Sequence, residues 1–186
     1  FGSSQWDALL SPVTAFGRYD AKSQVTENAS ATTVGISAGS VRHFKGYRIG
    51  FAGFFLRSAS TGGGWNADVE SYGAMAALEN PSFDLVPSSP RVRAAAAYSY
   101  TKIKQDREDI LGFRHTSFPE QHGIRLNASL GQSFPLLSWL KIIPLTGLDY
   151  TFIKQDAYTE SGNGLRLAVQ ESSMHSIRPY IGGEIN

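Results

Sequence analysis

Apolar and polar residues alternate with a period of two along most of this chain, and that pattern limits it to strands. In the cleanest stretch Ile124, Leu126, Ala128 and Leu130 share one face, while Gly123, Arg125, Asn127, Ser129 and Gly131 share the other. Val92, Ala94, Ala96, Tyr98 and Tyr100 likewise oppose Arg91, Arg93, Ala95, Ala97, Ser99 and Thr101. Tyr47, Ile49, Phe51 and Phe55 fall together, as do Leu148, Tyr150 and Phe152 opposite Gly147, Asp149 and Thr151. The segments 32–41 and 69–78 alternate less sharply and are rich in Gly and Ala. No run approaches the roughly 20 apolar residues a spanning helix needs. The most apolar stretch, Phe134 to Leu145, is broken by Pro135, Lys141 and Pro144. If this chain crosses a membrane, it must do so as a closed β-barrel, where every backbone polar group finds a partner.

The alternating runs predict about eight strands, at 9–20, 31–43, 47–58, 67–79, 91–104, 121–134, 143–157 and 165–185. A soluble antiparallel sheet alternates as well, so three further features bear on the choice. The faces opposite the apolar residues carry Arg, Asn, Asp, Ser, Thr and many small residues, as the wall of a water-filled barrel does. Aromatic residues gather toward strand ends at Tyr19, Tyr47, Tyr98, Tyr100, Tyr150 and Phe152, the positions of an interfacial girdle. Long or Gly-rich polar links at 21–30, 58–68, 104–121 and 156–164 alternate with a short one at 44–46, although Pro-bearing links near 80–90 and 134–144 are not short. A local repeat supports equivalent hairpins: Tyr100-Thr-Lys-Ile-Lys-Gln-Asp106 is echoed by Tyr150-Thr-Phe-Ile-Lys-Gln-Asp156.

Composition mainly excludes. The 186 residues carry a net charge of +1 with no basic run, which argues against nucleic acid. The absence of cysteine removes disulfide scaffolds and thiolate metal sites. His43, His115, His122 and His175 lack metal spacing and read as solvated or interfacial. Gly62-Gly63-Gly64 lacks the Lys-Ser/Thr of a phosphate loop and reads as a flexible tip. Asp106, Glu108 and Asp109 lie in a charged run with Lys104 and Arg107, which reads as a solvated loop. No nucleophile elbow is present, so no catalytic, cofactor or metal site is expected and an enzyme is the least favoured class. On the polar parity, Arg91, Arg93, Arg125, Asp149, Arg166, Arg178 and Glu184 are the candidate lumen residues. Asp149 is expected to be opposed by neighbouring arginines.

The order of several landmarks resembles the C-terminal barrel domain of autotransporters, the self-secreted proteins of Gram-negative outer membranes. They are Tyr72-Gly73, the strand Arg91 to Tyr100, Pro144-Leu-Thr-Gly-Leu-Asp-Tyr150, the tip Tyr158-Thr-Glu-Ser-Gly162, and Ser176-Ile-Arg-Pro-Tyr-Ile-Gly182. The resemblance implies an antiparallel up-and-down transmembrane β-barrel of about a dozen strands in the bacterial outer membrane. It also implies assembly by the barrel-assembly machinery, contact with outer-membrane lipid, and export of the protein's own N-terminal passenger. Against that pattern, residues 1–186 form one barrel-type domain expected to lack the last strands, with Glu160 at a short turn and positive φ at Gly162 and Gly164. The start at Phe1 without a signal segment is expected of a piece of a longer protein. Two other readings stand beside this one: a small outer-membrane barrel whose surface loops bind host or envelope molecules, and a soluble all-β binding domain.

Overall fold

The computed structural model describes residues 6–19, 29–44, 46–80, 90–137 and 140–185. Eight long strands form one antiparallel sheet in sequence order: β1 (Trp6–Tyr19), β2 (Ala29–Phe44), β3 (Tyr47–Gly62), β4 (Trp65–Glu79), β5 (Pro90–Glu108), β7 (Glu120–Gln132), β9 (Leu140–Gln155) and β13 (Ser172–Ile185). Short pieces decorate the hairpins: β6 (Arg114–Ser117) pairs with the end of β5, β8 (Phe134–Leu137) pairs with β9, β11 (Ser161–Gly162) pairs with β6, and β10 (Tyr158–Thr159) pairs with β12 (Ala168–Val169). Each long strand meets its neighbour through a continuous antiparallel register, so side chains of one parity stay on one face across the sheet.

The polar face is the concave one. Arg91 of β5 bonds Glu79 of β4 and also reaches Glu184 of β13 at 2.5 Å. Sheet order places β13 four strands from β4, about 19 Å apart if the sheet were flat. A single guanidinium can bridge them only because the sheet curls around that face. Among the described residues β1 and β13 each pair with one neighbour, so the sheet is not closed.

No ordinary core lies inside the curl. Among the described residues Ile143 is the one buried hydrophobic side chain, whereas Leu10, Phe16, Ile177 and Ile181 are 65–90% exposed on the convex face. The accessible surface is 12843 Å², against about 8,800 Å² for a compact soluble chain of this size. A soluble domain buries such side chains, and a membrane barrel leaves them for lipid to cover.

Strand lengths differ from the sequence reading at three places. The link expected at 58–68 is a tight turn, because the small residues Ser58 to Gly62 keep the alternation and pair with Trp65 to Val69. Gly64 turns the chain at φ +72°, so the glycine tip is a defined hairpin. β5 continues to Glu108, since Gln105 to Glu108 find partners in β6. The last strand starts at Ser172 rather than at 165, and Arg166 therefore lies in the preceding loop, exposed.

Candidate functional site: a charged inner wall and a buttressed outer rim

The register places Arg91, Arg93, Arg125, Asp149, Arg178 and Glu184 on the concave face. They form two clusters. In the first, Asp149 accepts from Arg125 Nε at 2.9 Å and from Nη2 at 2.5 Å, with Arg178 Nη2 3.7 Å away. Three adjacent strands thus share one carboxylate that is 9% exposed. In the second, Glu79 accepts from Arg93 Nε at 2.8 Å and from Arg91, while Glu184 accepts from both arginines. Arg48 Nη1 stands 3.9 Å from Glu79. Bidentate geometry and shared carboxylates offset the desolvation that isolated wall charges would suffer.

Elsewhere on this face, inward aromatic rings cover glycines of a neighbouring strand. A methyl group at Gly147 would come within 2.4 Å of the Tyr180 ring and 2.7 Å of the Ala128 carbonyl oxygen. At Gly73 it would come within 2.2 Å of the Phe54 ring and 2.6 Å of the Tyr98 carbonyl oxygen. Each ring faces its glycine across the register, filling the space and shielding the ladder. Alternation singled out outward aromatics only. These inward rings needed the register to be found.

On the convex face, apolar residues run on β5 from Val92 through Tyr100 and give way to Lys102 and Lys104. Val92 to Tyr100 is about 26 Å along the strand, enough for the apolar band of a tilted barrel strand. Tyr98, Tyr100, Tyr150 and Phe152 lie at one end of the band, and Tyr47 lies at the other beside the β2–β3 turn. Tyr19 ends β1, and its side chain lies outside the described residues.

The rings at the first end hold histidines of the following strand. Tyr98 hydroxyl shares a 2.8 Å hydrogen bond with His122 Nδ1, and Tyr150 does so with His175 at 2.9 Å. Tyr100 and Phe152 lie against the same two imidazoles at 5.1 and 4.8 Å between centroids. The structural repeat therefore matches Tyr150 with Tyr98, whereas the sequence repeat matches it with Tyr100.

Beyond that belt stands a rim the sequence did not suggest. Glu160, 6% exposed, accepts from Arg107 Nε and Nη2 at 2.6 Å each and from the Leu167 amide at 2.9 Å. The Arg107 guanidinium, with that amide, holds its carboxyl below the usual carboxylate value. Asp109 accepts from the amides of Leu111 and Phe113 and pairs with His115 Nε2 at 3.1 Å. The His115 imidazole, with the two amides, holds the Asp109 carboxyl below the usual carboxylate value against the opposing effect of burial. His115 is 1% exposed, so neither it nor Asp109 is the solvated group the charged run suggested. β11 then adds to the β6 edge, with Ser161 donating to the Thr116 carbonyl oxygen at 3.1 Å. The segment 156–171 is a folded excursion, not a short tip. Gly162 and Gly164 do take positive φ, +135° and +92°.

The profile of the autotransporter β-domain matches residues 10–186. The chain belongs to the autotransporter β-domain family. No curated protein matches it in sequence. Among solved structures it is similar to the translocator domain of the autotransporter NalP from Neisseria meningitidis, at 15% identity and a TM-score of 0.80, covering 100% of this chain and 63% of that one. The β-domain of the Bordetella autotransporter BrkA follows at 16% identity and 0.54, covering 94% and 67%. The ferric citrate transporter FecA, at 14% and 0.53, shares the fold over 96% of this chain and 30% of its own. The chain thus spans less than two thirds of the NalP domain. An outer-membrane translocator barrel of the bacterial outer membrane is the class these likenesses and the exposed apolar face agree on.

Proposed function

We propose that this chain forms part of the wall of a translocator through which the protein's own N-terminal passenger reaches the cell surface. The carrying observation is the concave face, where the wall arginines share carboxylates with their neighbours and inward glycines sit under aromatic rings. A conduit needs a surface that is wetted yet offers a passing chain no uncompensated charge and no apolar strip. Asp149, Glu79 and Glu184 supply that balance, and no catalytic role is required of them. Among the described residues β1 and β13 each keep one unpaired edge, which lipid does not tolerate, so completion of the barrel by further strands belongs to this proposal. Insertion by the barrel-assembly machinery belongs to the same proposal.

The test uses the full-length protein with an epitope near the passenger N-terminus. Surface labelling of intact cells is expected, together with loss of both labelling and heat-modifiable barrel on depletion of the assembly machinery. A folded barrel whose passenger epitope stays inaccessible until the outer membrane is broken would overturn the proposal.

One observation favours a second reading, ligand capture by the surface loops. The buttressed rim displays Ile110 at 96% and Leu111 at 65% exposure on the β5–β6 turn and Leu165 at 70% on the 156–171 excursion, the two held by buried carboxylates. Deleting residues 110–112 separates the readings: export persists if the rim is only a support, and ligand capture alone is lost if the rim binds.

A further inference from the structure

On the convex face of β3, β4 and β5, the register lines up Arg57, Glu70, Lys102 and Glu120 across four strands, with Asp68 opposite Lys104 one step further out. Opposite charges in adjacent register positions ordinarily pair. Here Glu70 instead takes the Tyr72 hydroxyl at 3.2 Å, and among the described residues neither Arg57 nor Lys102 has a carboxylate within 4 Å. Lys102 Nζ lies 5.7 Å from the Tyr100 ring centroid. Phe118 and Pro119 overhang this row and close a groove of about 520 Å³. Lys104 stands two residues beyond Lys102 on the same face. Three cations thus ring one groove just outside the aromatic belt.

Below the belt, on the same strands, lies an apolar trough of about 530 Å³ between Phe51, Leu78 and Leu126, floored by Ala76, Ala94 and Ala96. From Lys102 to Ala96 is about 20 Å along β5, or about 15 Å in depth for a strand tilted as barrel strands are. That depth is about half the hydrocarbon thickness, the reach of a single acyl chain.

We propose that β3–β5 carry a seat for one phosphorylated lipid: its phosphate on Arg57, Lys102 and Lys104, and an acyl chain in the alanine trough. Arg57 and Lys102, each without a carboxylate within 4 Å among the described residues, call for an anion, while Lys104 lies 4.0 Å from Asp106; the apolar trough beneath calls for an amphiphile rather than free phosphate. Asp68, Glu70 and Glu120 leave the groove mixed in sign, which suits a headgroup that arrives with a divalent counter-ion.

The test reads retained lipid by native mass spectrometry of the full-length protein, released from vesicles of phosphatidylcholine containing about one part in ten of phosphatidic acid. The protein should keep one phosphatidic acid in preference to phosphatidylcholine, by on the order of tenfold. The triple variant R57Q/K102Q/K104Q, altered at exposed positions that leave folding intact, should bring that ratio close to one. Ala96→Phe, which fills the trough without changing charge, should lower it severalfold. A rim control, R114Q/R166Q, should keep it. The proposal fails if the triple variant retains phosphatidic acid as the parent does, if the control loses it equally, or if inorganic phosphate displaces the lipid at matched concentration.

Discussion

The inner wall and the outer rim are both held by buried or half-buried ion pairs, yet they are built on different logic. On the wall, Arg178 stands opposite Asp149 in register and Arg125 one diagonal step away on the neighbouring strand, so the ladder itself delivers each guanidinium to its carboxylate. At the rim, Arg107 and Glu160 are 53 residues apart and meet because a loop folds back onto a hairpin edge. Wall pairs are therefore a consequence of the fold. Rim pairs are its cause locally: the excursion 156–171 is held by Glu160, the short β10–β12 and β11–β6 pairings, the Arg107 bond to the Leu165 carbonyl oxygen and, at its base, the Asp156 amide on Glu120 and the Lys154–Glu171 pair. Perturbing each region should reveal that difference, globally for the wall and locally for the rim.

The largest effect should come from the wall's packing. Gly147→Val forces a branched side chain against both the Tyr180 ring and the Ala128 carbonyl, and backbone cannot retreat cheaply. We expect destabilisation on the order of 3 kcal/mol, read as loss of the compact, heat-modifiable band, with Gly53→Ala as a mild comparison because its nearest atom is 3.6 Å away. Next comes Asp149→Ala, which strands two arginines on the concave face and should lower the unfolding midpoint by about 5 °C. An unchanged midpoint would mean that the wall pairs are incidental.

Glu160→Gln should leave that midpoint nearly intact while freeing the rim, at a local cost of about 1–3 kcal/mol. The readout is amide exchange, faster in 158–169 and unaltered in β5, β7 and β9. Equal acceleration of the strands would erase the distinction between the regions. Acid should act in the same place and more gently. Asp109 and Glu160 both have folded pKa values below their unfolded ones. Their contribution is therefore complete above the unfolded values, near 4, and is lost as pH falls through the folded ones. Cleavage by pepsin within 156–171 should rise as pH is lowered step by step below about 4, with the strands left whole. Cleavage at pH 6 by a neutral protease would contradict the sign.

How much of this was legible in the sequence follows the same division. The eight strands and their faces could be read because alternation survives wherever both faces have a solvent of their own, lipid outside and water inside. Arg125 and Asp149 could be placed on one face from parity alone. Residues 58–68 misled because Ser, Ala, Thr and Gly carry little strand signal, although each finds a register partner. Phe54 and Tyr180 were missed because a ring over a glycine is a cross-strand fact that no single strand records. Glu160 and His115 were missed for a deeper reason: polar residues in a loop look solvated until a partner distant in sequence is known. The repeat at Tyr100 and Tyr150 pointed to a real equivalence but in the wrong phase, since histidines of the next strand pick out Tyr98.

The assignment on which everything rests is that even positions of β7 face lipid and odd ones face water. These 186 residues carry no cysteine, so single cysteines can be placed at each position from 124 to 130, in a full-length protein freed of any other cysteine, in vesicles. Spin labels there should alternate strictly: 124, 126, 128 and 130 accessible to oxygen dissolved in lipid, and 125, 127 and 129 accessible to a water-soluble nickel chelate. A flat profile, or chelate access at 124, 126, 128 and 130, would contradict a transmembrane wall with a hydrophilic interior.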